Sequence, residues 1–105
     1  MTKLKERVVL SSWRIYRVRT KKSDHVVVAV GFRPATDLGH VSSRVLRFYQ
    51  PEMTLTTWSE EIILEGPPGA YSREADRAWV RWCSANNPQS IVDVSSRYVK
   101  KGRAA

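Results

Sequence analysis

The chain has 105 residues, 42% of them hydrophobic and 27% charged, with a net charge of +8 and a pI near 10.2. That length fits one domain with a single core, and one cysteine excludes an internal disulfide or a cysteine-based zinc site. With no bilayer-length apolar run and no signal-peptide pattern, a cytoplasmic protein without a membrane partner is expected. The charge is uneven: residues 1–33 carry +7, residues 34–66 carry −3 and residues 67–105 carry +4. A basic start and end around an acidic middle can draw a polyanion to one side of a molecule, and it also serves as a plain soluble surface.

In chain order, residues 1–6 are polar and basic and are expected to be a flexible tail, like residues 100–105. Val8 to Thr20 reads as a long β-segment rich in Val, Ile, Tyr and Trp. Its alternation is imperfect, so either a bulge shifts the register near Ile15 or both faces are partly buried. Lys21-Lys22-Ser23-Asp24 is a turn. His25 to Arg33 is apolar on both faces, the mark of a central strand. Pro34 to His40 reads as a loop, punctuated by Pro34, Asp37 and Gly39. Ser43 to Tyr49, Thr54 to Trp58 and Ile62 to Glu65 then form a meander of three short strands, with Gln50-Pro51-Glu52 as a turn.

Gly66-Pro67-Pro68-Gly69 suggests a phosphate loop only superficially. Such a cradle needs convergent backbone N–H groups, and two of these four residues have none. No Lys-Ser or Lys-Thr follows, so the segment reads as a rigid strand-to-helix corner. Ser72 is a good helix N-cap, and Glu74 and Asp76 suit the positive end of the helix dipole. Ala75, Trp79, Trp82 and Cys83 recur at helical spacing, and Arg73, Arg77 and Arg81 form a separate stripe. Asn86-Asn87-Pro88 is the stop. After it, Ser90 to Val99 reads as a strand, although Ser95 to Tyr98 also suits a helical turn.

The whole is an α+β domain: a mostly antiparallel sheet of about five strands with one amphipathic helix packed on one face. Leu46, Phe48, Leu55, Ile62 and Leu64 are expected under the helix, joined by Val26, Val28, Val30 and Phe32. Trp79 and Trp82 should be largely buried there. The opposite face would then hold Val27, Ala29, Val45, Tyr49, Trp58 and Ile63, with Arg47 among them. An apolar area of that kind is rarely left in water. Residues 90–99, a second copy of the chain as a homodimer, or another partner would cover it.

Little in the sequence supports catalysis. His25 and His40 have no ligand partner at helical or strand spacing, so no metal site is expected. Ser23-Asp24-His25 places triad letters in adjacent positions, where geometry cannot assemble a nucleophile and a base. Cys83 lies on the apolar helix face, and Glu60, Glu61 and Glu65 read as a solvated hairpin. A non-enzymatic protein without a cofactor is expected.

The basic residues carry the functional signal. Arg14, Arg17, Arg19, Lys21 and Lys22 are interleaved with Trp13 and Tyr16, which suits phosphates and stacked bases. The same charges would also protect an edge strand from aggregation. Arg73, Arg77 and Arg81 suit a phosphate backbone, or simply the solvated side of a helix.

Ser42-Ser43-Arg44-Val45-Leu46-Arg47-Phe48, Leu64-Glu65-Gly66-Pro67-Pro68-Gly69 and the Trp-x-x-Trp helix resemble a group of small uncharacterised proteins of bacteria and their phages. Trp13-Arg14-Ile15-Tyr16-Arg17 is similar as well. The resemblance covers most of the chain through turn and core positions, and it implies a fold more than a function. Phage proteins of this size include anti-CRISPRs, which inhibit a host defence system by occluding a protein. Two expectations follow. One is a binding module for a nucleic acid or nucleoprotein complex, using Arg14, Arg17, Arg19, Arg73, Arg77 and Arg81. The other is an occluding inhibitor of a host protein, using either the uncovered sheet face with Arg47, Tyr49 and Trp58 or the acidic middle of the chain.

Overall fold

In the computed structural model, which describes residues 5–99, one long strand organises the sheet. This is β1 (Glu6–Arg19), followed by β2 (Val26–Arg33), β3 (Leu38–Val41), β4 (Arg47–Tyr49), β5 (Thr54–Thr56) and β6 (Glu60–Leu64). Then come α1 (Arg73–Asn86), β7 (Ser90–Asp93) and a 3-10 turn at Ser95–Tyr98. The sheet runs β3-β2-β1-β6-β5-β4, with β7 also on β1. It is α+β and mostly antiparallel, as the sequence implies, but the described residues form seven strands rather than about five. The expected tails at 1–4 and 100–105 lie outside the described residues, and Glu6 already belongs to β1.

One edge of β1 pairs antiparallel with β2. The other changes partner along its length, parallel to β6 over Glu6–Leu10 and antiparallel to β7 over Tyr16–Arg19. The stretch between would leave buried amides and carbonyls unpaired, which is costly. Local contacts fill it: Glu65 N–H donates to the Leu10 carbonyl (2.9 Å), Gly69 N–H to the Trp13 carbonyl (3.0 Å), and Val94 N–H to the Ile15 carbonyl (2.8 Å). Ile15 N–H donates in turn to Ser95 Oγ at 2.8 Å. The segment on which the sequence reading left alternatives is thereby explained. Residues 90–99 are a strand and then a helical turn, and both parts bind β1.

The irregular alternation of β1 is a bulge. The register against β2 shifts between Ser11 and Arg14, and Ser12 takes a left-handed φ of 48°. The extra residue moves the inward positions from even to odd numbers, so Val8 and Leu10 share a core with Trp13 and Ile15. Ala29, Leu55, Ile62, Leu64 and Val94 complete that core, with Val27, Val45, Phe48, Tyr98 and Val99 packed against it.

This arrangement corrects the expected faces. Leu55, Ile62 and Leu64 are buried, but against β1 and β2; the helix packs on β3 and β2 instead. Val26, Val28 and Val30 align with Val18, Tyr16 and Arg14, on the helix side. Residues expected on one face are thus split between two, because β6 joins β1 in parallel and the bulge lies between the halves. Leu46 is 59% exposed rather than covered. Val27, Ala29 and Val45 are covered from within the chain by the segment around Val94 and Tyr98, whose ring meets Phe48 at 5.0 Å. Tyr49 and Trp58 stay in solvent.

The segment read as a loop at 34–40 contains most of β3, on which the helix rests. A Cβ at Gly39 would lie 2.0 Å from the Glu74 carbonyl oxygen, so only glycine allows this close approach. Ser72 caps the helix by accepting from Ala75 N–H at 3.1 Å, and Asn87 ends it in a left-handed conformation. At the Gly-Pro-Pro-Gly corner, Gly66 and Gly69 have φ of +73° and +90°, accessible at little cost to glycine alone. Trp13 Nε1–H donates to the Gly66 carbonyl at 2.9 Å and pins this corner to β1.

Glu60 is not on a solvated hairpin. It is buried, and its Oε2 lies 2.6 Å from His40 Nε2, joining β6 to β3 from the far end of the strand order. Ser43 N–H donates to its Oε1 at 3.2 Å. Burial pushes the Glu60 carboxyl pKa up, but the His40 and Ser43 hydrogen bonds outweigh it and hold the value below the usual range. A lowered folded pKa gives stability that is complete above the unfolded value, about 4.3, and lost as pH falls through the folded one. Urea unfolding of Glu60→Gln is therefore expected to show its deficit against the native chain at pH 7, shrinking towards pH 3. A deficit independent of pH would assign Glu60 a packing role only.

Candidate functional site

The helix buries only Ala75 fully. Trp79 and Trp82, expected to be largely buried, are half-buried and join a ladder of rings. Tyr16 of β1 stacks on Trp79 with centroids 4.4 Å apart and planes 9° from parallel. Trp79 stacks on Trp82 at 5.2 Å and 10°. Trp82 then lines an open groove with Val41, Ala78 and Arg81 between the helix and β3, an edge strand. The ladder arises because Tyr16 points to the helix side of β1 while positions 79 and 82 lie one turn apart on the helix.

Arg73, Arg77 and Arg81 are exposed along the solvent side of the helix, and of the three Arg81 lines the groove with Trp82. Arg73 has a loose contact with Glu74 at 3.9 Å, and among the described residues Arg77 and Arg81 form no ion pair. Arg14 lies under the start of the helix, where it donates to the Gly69 carbonyl at 3.1 Å. The neighbouring Tyr16 side chain pushes the Arg14 pKa up.

The other predicted residues do not join this group. Arg17 aligns with Val27 and Val92, on the face away from the helix, and Arg19 is exposed at the end of β1. Arg47 and Tyr49 are exposed on β4, at the opposite end of the strand order from β3, and Trp58 is exposed in the β5–β6 turn. The basic residues therefore form at least two surfaces rather than one.

Two participants were missed in the sequence. Tyr71, 75% exposed, and Asp76 border the same cleft as Arg14 and Trp79. Asp76 was visible only as a helix-dipole residue, since its position facing Arg14 depends on how the helix docks. Among the described residues no group of three or more His, Cys, Asp and Glu is placed to hold a metal ion. Burial pushes the half-buried Cys83 thiol pKa up, the opposite of what a nucleophile needs. No described helix is long and apolar enough to cross a membrane. Comparisons with protein-family models, curated proteins and solved structures find no match to this chain.

Proposed function

We propose that the chain is a non-enzymatic module that binds single-stranded nucleic acid, free or within a nucleoprotein, along its helix. The observation that carries this reading is the Tyr16–Trp79–Trp82 ladder, with Arg81 lining the groove at its Trp82 end. The ring at the end of such a ladder offers a π-face to bases of any sequence, and helix arginines attract phosphates. A base on the groove side of Trp82 would extend the stack by one step.

A second reading has its own support. Trp58 is 73% exposed and Tyr49 is 56% exposed beside Arg47, residue types that anchor protein interfaces. On this reading the chain occludes a host protein, as an anti-CRISPR-like inhibitor would, through the far end of the sheet.

The four indole N–H signals separate the two. During titration with a short oligothymidylate, the Trp79 and Trp82 resonances are expected to shift. Trp13, fully buried and bonded to Gly66, and Trp58 should stay in place. Movement of Trp58 alone would move the interface to the other end of the sheet.

A further inference from the structure

From the cleft beneath the start of the helix we infer a base-reading site selective for guanine, which rests on the single-strand reading above. Tyr16, Trp79 and Tyr71 supply aromatic walls, and Arg14 and Asp76 face the space between them. The cleft is open to solvent, and its space, the solvent-filled mouth included, is about 340 Å³. A base seats in that mouth, where the Tyr71 ring is exposed.

The polar pair decides which base. Arg14 spends one donor on Gly69, and a guanidinium has five. Asp76 is exposed and forms no ion pair among the described residues, so it does not close on Arg14. A donor and an acceptor that border one cleft without meeting leave a gap for a group that satisfies both. Guanine does so: N1–H and N2–H donate to the carboxylate, and O6 and N7 accept from the guanidinium. Adenine turns the acceptor N1 towards the carboxylate, and thymine offers it a single donor. A negative charge among Arg14, Arg73 and Arg77 opposes plain phosphate binding, which makes base recognition the better use of Asp76.

The test compares labelled oligothymidylates that carry one central guanine, adenine or cytosine, or none, by fluorescence anisotropy. The guanine strand is expected to bind about tenfold more tightly than the others. Asp76→Asn should erase that preference, bringing the guanine strand to the same affinity as the other three strands; a preference kept in Asp76→Asn would overturn the role of Asp76. Equal affinity for all four strands would overturn the guanine site and leave the strand reading intact. If no strand binds but guanosine monophosphate quenches tryptophan fluorescence, the cleft stands and the strand reading falls. Binding of neither overturns both.

Discussion

Trp13→Ala is expected to destabilise the protein by about 3–5 kcal/mol, the usual cost of emptying a large buried aromatic site. Trp13 has no exposed surface, and it links the two halves of the core across the β1 bulge. Its indole also holds the Gly66 carbonyl, so the loss loosens the corner that leads into the helix. Against a typical total of about 5–15 kcal/mol, such a loss leaves a small protein near its unfolding limit. Trp79→Ala should cost less, because that ring is only partly buried. Its stacking contacts are worth about 0.5–1.5 kcal/mol each. Urea denaturation of both variants checks the order, and a larger loss at Trp79 would mean that the core lies under the helix after all.

Reversing Arg73, Arg77 and Arg81 together to glutamate should produce the largest effect on binding. Each phosphate neutralised on a single strand contributes about −0.7 to the slope of log K against log salt. Losing three such contacts would flatten the slope by about 2, with a fall in affinity at low salt of at least ~100-fold. All three side chains are exposed, and none is part of the core, so folding should survive. Reversing Arg17 and Arg19 instead should change the slope little, because Arg17 aligns on the opposite face and Arg19 ends the strand. Equal effects from the two sets would mean that the strand follows no single face.

Local signals in the sequence were legible where they depend on neighbours. The Ser72 cap, the Asn87 stop and the glycine corner follow from residues within a few positions, whereas the broken alternation of β1 left a bulge as one of two readings. What it did not show was pairing across long separations. Nothing in Glu60 to Leu64 marks a strand that joins β1 in parallel, and that one pairing reassigns which face Leu55, Ile62 and Leu64 cover. β3 was missed because Leu38-Gly39-His40-Val41 follows a turn and contains a glycine that weakens strand propensity. The glycine is there for the helix above it. Glu60 looked solvated because its partners, His40 and Ser43, are contributed by another part of the chain. At the site, the arginine stripe and the two helix tryptophans were readable from spacing alone. Their alignment with Tyr16, and the cleft between Arg14 and Asp76, required the docking angle of the helix.

The most direct test of the binding proposal is the affinity of the native chain for a short oligothymidylate, measured from low to moderate salt. Tight binding at the lowest salt is expected, with log K falling linearly as log salt rises, because association releases the counterions held by the phosphates. An absence of binding at the lowest salt, where the attraction between this basic chain and a polyanion is strongest, would contradict it.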